Sequence, residues 1–265
     1  MTRKEKLKRR RRKRLFRRIR QGLFVFACFM LVFAVLHGIY NFIRFHDASD
    51  AEKQVLTHTK DYPDALIALM KTNEETQQFV ADYTKYGNHH FKILLTNDVK
   101  KGTIPYFCQW DKRWGYESYD DNYFAITGSA PTCLSMISVG LSNDLNANPL
   151  MVARYMEEHN FLTKNHKTKV SFFTDGAQYF DIIGKKLTIT EEKMKQQLKA
   201  KKPMIAQVGK GDFTTSNEHY IVIYGIDKKG NFLIHDPNSI KNSNKSWSFE
   251  TLQTQLKQLW YYQLL

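Results

Sequence analysis

The sequence contains few cysteines and no clear pattern of metal ligands. Three cysteines occur among 265 residues, and none belongs to a C-x-x-C pair. Cys28 lies in a long apolar run, so only Cys108 and Cys133 remain for a disulfide, and two thiols make no disulfide framework. The sequence favours free buried thiols, although one disulfide in an oxidising compartment stays open. His89 and His90 are adjacent rather than spaced as metal ligands, so a surface pair is predicted and neither a metal nor a cofactor is expected.

Acidic residues are almost absent from the first twenty positions. From Arg3 to Arg20 there are thirteen lysines or arginines against the single acid Glu5, a net +12 within the whole-chain charge of +14. The other 245 residues therefore sum to about +2. A basic run of this kind is typical of a nucleic-acid arm or a localisation signal, and also of the cytoplasmic flank of a membrane helix. The apolar run that follows it favours the membrane, and no nucleic-acid partner is predicted.

This run, residues 22–43, carries no formal charge at neutral pH. It is long enough to cross a hydrocarbon layer of about 30 Å as a helix. A cleaved signal peptide is the alternative, but its apolar core is usually only about 7–15 residues and no small-x-small cleavage site follows here. The sequence therefore predicts a single-pass protein of the cell membrane, with residues 1–21 as a basic cytoplasmic tail and everything beyond Phe45 extracellular. The tail is also expected to attract anionic lipid.

Beyond the apolar run, the sequence predicts a lead-in region, 44–103, and a larger domain, 104–265. The lead-in starts as a polar juxtamembrane stalk and continues with apolar residues at helical spacing between Leu66 and Tyr83. Residues 104–119 are dense in aromatics and predict a core-lining loop or short strand. No long internal repeat is present. The remaining pattern predicts helices over 130–141, 148–159, 175–183 and 190–201, and strands over 204–208, 219–226 and 231–236, the last two joined by the turn Asp227-Lys228-Lys229-Gly230.

Three residues of this domain occur in the order typical of nucleophilic acyl transfer. Ser129 stands at the start of the first predicted helix, with Pro131 in its first turn. Free backbone N–H groups at such a position lower the pKa of a thiol and stabilise an oxyanion, but a hydroxyl gains much less from them. A two-residue hairpin turn puts Ile221 opposite Asp236 and His219 at the diagonal position, where an imidazole can meet a carboxylate. A nucleophile on a helix, followed by His and Asp on strands, is the chain order of papain-like enzymes.

Five ordered motifs carry a family resemblance. They are Gln109-Trp110-Asp111 with Arg113-Trp114-Gly115-Tyr116, then Gly128 to Met136, Gly211-Asp212-Phe213-Thr214-Thr215, His219-Tyr220-Ile221-Val222 and His235-Asp236-Pro237-Asn238-Ser239. With them, residues 104–260 resemble the peptidase C39-like family, a papain-like group common in Gram-positive bacteria. The resemblance implies an α+β, papain-like domain in which the helix with the nucleophile position packs on an antiparallel sheet. It also implies that Gln109 is the oxyanion-side glutamine, His219 the general base and Asp236 the residue that orients it, with Ser129 at the nucleophile position.

The sequence departs from the family pattern at this position. The family has Gly-Cys-Gly-Pro-Thr where this chain has Gly128-Ser129-Ala130-Pro131-Thr132, so serine stands in place of the nucleophilic cysteine. Cys133 lies one turn further along and is expected to be a small buried hydrophobe. If the family glycine has a positive φ, the Cβ of Ala130 adds about 1 kcal/mol of strain. Asn217 and Glu218 stand where relatives have one glycine, and the Glu218 carboxylate is expected beside the imidazole, where it would weaken a base.

Two functions stay open on this evidence. The sequence favours a catalytically silent, membrane-anchored module that binds an extracytoplasmic peptide, such as a wall-derived peptide, in the cleft near Gln109, Trp110 and His219. The alternative is an active peptidase or hydrolase that uses Ser129, or less favourably Cys133, together with His219 and Asp236. A hydroxyl must lose its proton during the attack and needs a tight oxyanion site, where one misplaced donor costs roughly 100 to 1000-fold in rate. Replacing the sulfur without rebuilding the site should therefore leave little turnover.

Overall fold

The computed structural model describes residues 3–216 and 218–265, and the chain divides into two compact units between Lys53 and Gln54. The first unit contains helix α1 (Arg3–Phe45). Within it, Phe16–Tyr40 reaches a mean hydropathy of 2.4, and its apolar side chains are not buried. Length and composition fit a membrane span, and they fit a signal sequence equally.

Helices and strands are interspersed along the rest of the described chain. The further helices are α2 (Asp50–Thr57), α3 (Asp64–Thr72), α4 (Gln77–Ala81), α5 (Tyr83–Tyr86), α6 (Phe124–Thr127), α7 (Ser129–Ser142), α8 (Pro149–Glu158), α9 (Glu191–Lys199), α10 (Ile240–Ser243) and α11 (Phe249–Gln253). Short 3-10 helices cover Thr59–Asp61, Glu74–Thr76, Val170–Phe173 and Gly176–Phe180. The strands are β1 (Ser118–Tyr119), β2 (Asn122–Tyr123), β3 (Ile182–Lys186), β4 (Met204–Val208), β5 (His219–Ile226), β6 (Phe232–His235), β7 (Ser246–Trp247) and β8 (Leu256–Leu264).

Six of these strands form one sheet in the order β3-β8-β4-β5-β6-β7, and every neighbouring pair is antiparallel. Strand β8 lies between β3 and β4 and is therefore an interior strand of the sheet. β1 and β2 form a separate two-stranded ribbon. The fold is therefore α+β, as the sequence predicts.

Both faces of the central strand β5 are buried. Tyr220 and Val222 point into a cluster that contains the α7 side chains, whereas Ile221 and Ile223 join a second cluster with Met194 of α9. Five consecutive residues, His219–Ile223, are consequently buried, which explains the continuous apolar run of this strand. The sheet lies between α7 on one side and α9 on the other.

Helix α7 is the buried helix that the sequence predicts over 130–141. It begins directly after Gly128 and ends where Asn143 adopts a left-handed conformation with φ of 60°. All its residues up to Val139 are buried. The hydroxyls of Ser135 and Ser138 remain satisfied there, because they donate to the carbonyls of Ala147 and Phe180 at 2.6 and 3.0 Å.

The β5–β6 hairpin reaches the predicted register by a different route. Its loop has three residues rather than two, since the N–H of Asp227 bonds to the carbonyl of Asn231 and Gly230 takes a φ of +87°. A register shift between Ile223 and Gly225 then offsets the extra loop residue. Val222 consequently pairs with His235, which leaves Ile221 and Asp236 as the next residues in register.

Two sequence predictions about elements are wrong. Residues 175–183 do not form an α-helix: a 3-10 helix, Gly176–Phe180, ends at Asp181 with φ of 59°, and Ile182 already belongs to β3. The pairing of β3 with β8 outweighs the local helical pattern. Asp236, placed within a strand by the sequence, follows β6 and forms a bridge with Ser239. Residues 104–117 form the predicted loop, in which Phe107, Trp114 and Tyr116 are buried.

Candidate active site

A polar cleft of about 210 Å³ lies at the amino end of α7. Three residues singled out by the sequence, Gln109, Ser129 and His219, line it together with Ala130. Asp236 is fully buried beside His219. The structure therefore brings the four predicted site residues to one place. The remaining lining residues are Tyr119, Asp120, Ile126, Thr127, Leu162, His166, Thr168, Thr214, Ser216, Glu218, Tyr220 and Asn238.

Ser129 is the first residue of α7, and the backbone around it offers free donors. In the described part of the chain, no backbone carbonyl accepts the N–H of Ser129 or of Ala130. Pro131 has no N–H, and the N–H of Thr132 is the first to find an acceptor, the carbonyl of Gly128 at 3.1 Å. Two N–H groups without a backbone acceptor thus lie at the positive end of a buried helix, where a carbonyl oxygen or an oxyanion is favoured.

Gln109 accounts for the break in the helix before Ser129. Its Nε2 donates to the carbonyl of Ala125 at 2.8 Å. In a continuous helix that carbonyl would accept the N–H of Ser129, four residues later. The chain instead ends α6 at Thr127 and begins α7 at Ser129. Gln109 therefore helps to keep the first N–H of α7 available, and the second hydrogen on its Nε2 remains unassigned.

The loop that carries Gln109 is fastened to the segment that follows β6. The backbone N–H of Gln109 donates to the carbonyl of Pro237 at 2.8 Å. On either side of it, Tyr106 donates to the Asp236 carbonyl at 3.1 Å and Trp110 to the Asn238 carbonyl at 3.2 Å. The aromatic-rich loop thus fixes the glutamine relative to the carboxylate.

His219 and Asp236 form a buried pair. The His219 Nε2 lies 2.8 Å from Oδ1 of Asp236, and the two residues are 5% and 0% exposed. Because a carboxylate only accepts, Nε2 carries the proton and Nδ1 is left as the basic nitrogen. Two further donors reach the carboxylate: the N–H of Asn238 at 2.9 Å to Oδ1 and the amide of Asn242 at 3.0 Å to Oδ2. The Oγ of Ser243 accepts the backbone N–H of Asp236 at 2.8 Å.

The serine hydroxyl is not engaged by this pair. Within residues 3–216 and 218–265, neither the Ser129 Oγ nor Nδ1 of His219 forms a hydrogen bond, and the ring bonds through Nε2 alone. A serine nucleophile normally lies about 2.6–3.2 Å from its base. The arrangement holds an imidazole, a hydroxyl and two unpaired backbone N–H groups around one cleft, without a hydrogen bond between the hydroxyl and the imidazole.

The cysteines take no part in the cleft. Cys133 is fully buried in the core beneath Ser129, and this burial raises the pKa of its thiol well above the usual value. Burial likewise raises the pKa of Cys108. Both are free thiols, so the disulfide that the sequence left open does not form. A protonated, core-packed thiol is a poor nucleophile.

Two expectations about the neighbours of Ser129 and His219 need correction. Ala130 is helical and has no positive φ, so its Cβ causes no backbone strain. Glu218 does not bond to the imidazole: its carboxylate accepts the Thr168 N–H at 3.1 Å and the Tyr220 hydroxyl at 2.9 Å. It fastens the loop before Thr168 to β5. Asn217, predicted to lengthen the loop before His219, lies outside the described residues.

The sequence did not indicate several residues that shape the cleft. Asn242 and Ser243 hold Asp236, and their only signal was proximity to the motif His235–Ser239. A second imidazole, His166, bonds through Nδ1 to Asp120 at 2.7 Å across the cleft mouth, and this raises the pKa of His166. Nothing local marks these partners. Among the described residues, no three His, Cys, Asp or Glu side chains are grouped as metal ligands.

Comparison with known proteins identifies the family of the chain. No curated protein matches the chain. The model of the peptidase C39 like family matches residues 101–264, which include all four predicted site residues. Because this match covers more than half of the sequence, the chain belongs to the peptidase C39-like family.

Proposed function

We propose that this protein is a membrane-anchored, extracytoplasmic member of its family, with a papain-like fold, that binds peptide-like ligands without cleaving them. In this proposal α1 anchors the chain, residues 1–21 lie in the cytoplasm because of their positive charge, and the second unit lies outside. The nucleophile position of the family is occupied by Ser129, which replaces the cysteine.

One observation carries the proposal. The hydroxyl of Ser129 lies at the start of α7 with no hydrogen bond to a described residue, although the His219–Asp236 pair beside it is intact. A thiolate and an imidazolium form a reactive pair before substrate binds. A hydroxyl must transfer its proton during the attack, so it depends on a formed bond to the base. That bond is missing here.

The parts that would bind a peptide are retained. The free N–H groups of Ser129 and Ala130 suit a peptide carbonyl, and the polar lining offers hydroxyls for further backbone groups. The cleft, about 210 Å³, is smaller than the roughly 300–1,000 Å³ typical of drug-sized pockets. It suits a short extended peptide segment rather than a bulky ligand.

Binding and cleavage can be measured on the same sample. The full chain in detergent micelles is titrated with a panel of wall-derived and unrelated peptides, and the mixtures are inspected by mass spectrometry. We expect at least one peptide to bind, with an affinity that changes by less than about twofold in Ser129→Ala. We expect no cleavage products of the peptide with either the unaltered chain or the variant. Absence of binding across the panel would remove the proposal.

Serine hydrolysis is the second candidate, favoured by the free Nδ1 of His219 and the free donors of α7. A fluorophosphonate probe tests Ser129 and a thiol-reactive probe tests Cys133, each with the corresponding alanine variant as control. We expect no labelling at either position. Fluorophosphonate labelling that disappears in Ser129→Ala would establish this candidate instead.

Topology is tested separately. Protease added to intact cells should digest the second unit while the basic amino-terminal segment stays protected. Cleavage of the chain after residue 43 during maturation would instead identify α1 as a signal sequence.

A further inference from the structure

Two residues that precede the family-matched segment contact the part of the chain that holds Asp236. Asn73 and Glu75 belong to the turn at the 3-10 helix Glu74–Thr76, whereas the matched segment begins at residue 101. Both lie in the same compact unit as the cleft. The sequence analysis assigned this region only to lead-in helices.

Glu75 binds the start of α10 with both carboxylate oxygens. Its Oε1 accepts the Ser239 hydroxyl at 2.5 Å, and its Oε2 accepts the backbone N–H groups of Ile240 and Lys241 at 2.9 and 3.1 Å. An ionised carboxylate with three donors forms strong, directional bonds, and these N–H groups would otherwise lack helical partners. The start of α10 is therefore fixed to the lead-in turn.

Asn73 fixes the residue before that helix. Its Nδ2 donates to the backbone carbonyl of Asn238 at 2.7 Å and to the Asn238 side-chain oxygen at 3.2 Å. Its Oδ1 meanwhile caps the turn by accepting the N–H of Glu75 at 3.0 Å. Asn73 thus contacts both Glu75 and Asn238 and fixes the position of one relative to the other.

Among the described residues, the segment 238–243 supplies the hydrogen bonds to the Asp236 carboxylate other than that of His219. Asn238 donates its N–H to Oδ1, and Asn242 donates its amide to Oδ2. Ser239 connects the two ends, since its Oγ donates to Glu75 and also accepts the N–H of Asn242 at 3.0 Å. A continuous series of contacts therefore leads from Glu75 through Ser239 and Asn242 to Asp236.

We infer that Asn73 and Glu75 are positioning residues of the His219–Asp236 pair, so that the site is incomplete without the lead-in turn. Neither residue lines the cleft. Loss of their bonds releases the 238–243 segment, the Asp236 carboxylate loses its fixed orientation, and the proton on Nε2 of His219 loses its defined acceptor. This inference concerns the geometry of the pair and holds whether or not the site turns over substrate.

The test measures the tautomer of His219 by ¹⁵N NMR of the full chain in detergent micelles, labelled at histidine. In the unaltered chain the Nε2–H form should dominate and its proton should exchange slowly. Glu75→Gln keeps the size of the side chain but replaces one of its two acceptor oxygens by a donor and removes its charge. Asn73→Asp turns an acceptor toward the Asn238 carbonyl. Each should broaden or shift the His219 signals and speed Nε2–H exchange at least about tenfold.

Glu74→Gln is the matched control, because Glu74 is the exposed neighbour and only forms a surface pair with Lys241 at 3.6 Å. Its His219 spectrum should equal that of the unaltered chain. Thermal unfolding of all variants is recorded in parallel. Unchanged His219 signals in folded Glu75→Gln and Asn73→Asp would overturn the assignment. Global loss of folding in both would overturn it as well, since the two residues would then be general stability elements.

Discussion

The two sides of the cleft differ in how firmly they are held. On the imidazole side, every polar atom of Asp236 has a partner, and the contacts extend to the loop before β1 and to the turn at Glu75. On the serine side, the hydroxyl of Ser129 and the first two N–H groups of α7 have no partner among the described residues. The imidazole side is thus fully hydrogen-bonded, whereas the serine side presents polar groups without partners.

The largest expected effect comes from placing sulfur on the serine side. In Ser129→Cys, the free N–H groups of α7 and the His219 imidazole should lower the pKa of the new thiol. We expect iodoacetamide to label position 129 at neutral pH at least about 100-fold faster than Cys133, whose buried thiol has a raised pKa. Peptide mapping after timed labelling measures both rates in one sample. Equal rates would show that the serine side is not a reactive position.

Removing the carboxylate on the imidazole side should lower the free energy of unfolding. Asp236→Ala removes a fully buried carboxylate and leaves the donors of His219, Asn238 and Asn242 without their acceptor. We expect the free energy of unfolding to fall by about 3–5 kcal/mol, because three donors lose their acceptor and each buried donor left unpaired costs about 1–3 kcal/mol. Denaturant titration of the full chain in micelles measures it, with Ser129→Ala as the control on the other side. A loss below 1 kcal/mol would contradict the contrast between the two sides.

Acid should also lower the stability of the folded chain, because His235, next to Asp236, becomes protonated. This ring stacks on Tyr224 with centroids 4.1 Å apart and bonds to the carbonyl of Ile104 at 3.1 Å. Burial lowers its pKa from 6.5 to about 4. The folded state therefore binds fewer protons than the unfolded state below pH 6.5, and stability is present above that pH and falls as pH drops toward 4. We expect a loss of at most about 3 kcal/mol over this interval.

The matched variant is His235→Phe, which keeps an aromatic ring beside Tyr224 but cannot titrate. Its stability between pH 6.5 and 4 should depend on pH less than that of the unaltered chain. Parallel pH profiles of the two proteins would place the titrating group elsewhere.

The smallest effect is expected at the mouth of the cleft. The bond from His166 to Asp120 raises the pKa of this exposed imidazole, so its contribution is present below pH 6.5 and is lost as pH rises through the raised value. We expect amide exchange in residues 163–168, corrected for intrinsic rates, to increase over that interval. His166→Ala should abolish the pH dependence, and an unchanged profile in that variant would show that the His166–Asp120 bond does not hold residues 163–168.

The four candidate site residues could be recognised from the sequence, whereas the residues that hold them in place could not. Gln109, Ser129, His219 and Asp236 were recognisable because each lies in a short motif, and the structure brings all four together. Helices α7 and α8 and strands β4 and β5 followed from local patterning. Strand β8 was missed, because Lys257 and Gln258 interrupt its apolar pattern and its place between β3 and β4 is set by distant pairing. The hairpin register was correct only because a longer loop and a bulge compensate each other.

The sequence by itself determined which atoms are available: an oxygen at position 129, an imidazole at 219, a carboxylate at 236 and one apolar helix at the amino terminus. Only the tertiary structure decided how they are used. Gln109 reaches the Ala125 carbonyl, and Glu75 reaches Ser239 across 164 positions of the chain. Local periodicity encodes which face of an element is buried, but contacts between distant polar side chains depend on how the packed elements meet. For that reason the support of Asp236 became visible in the fold alone.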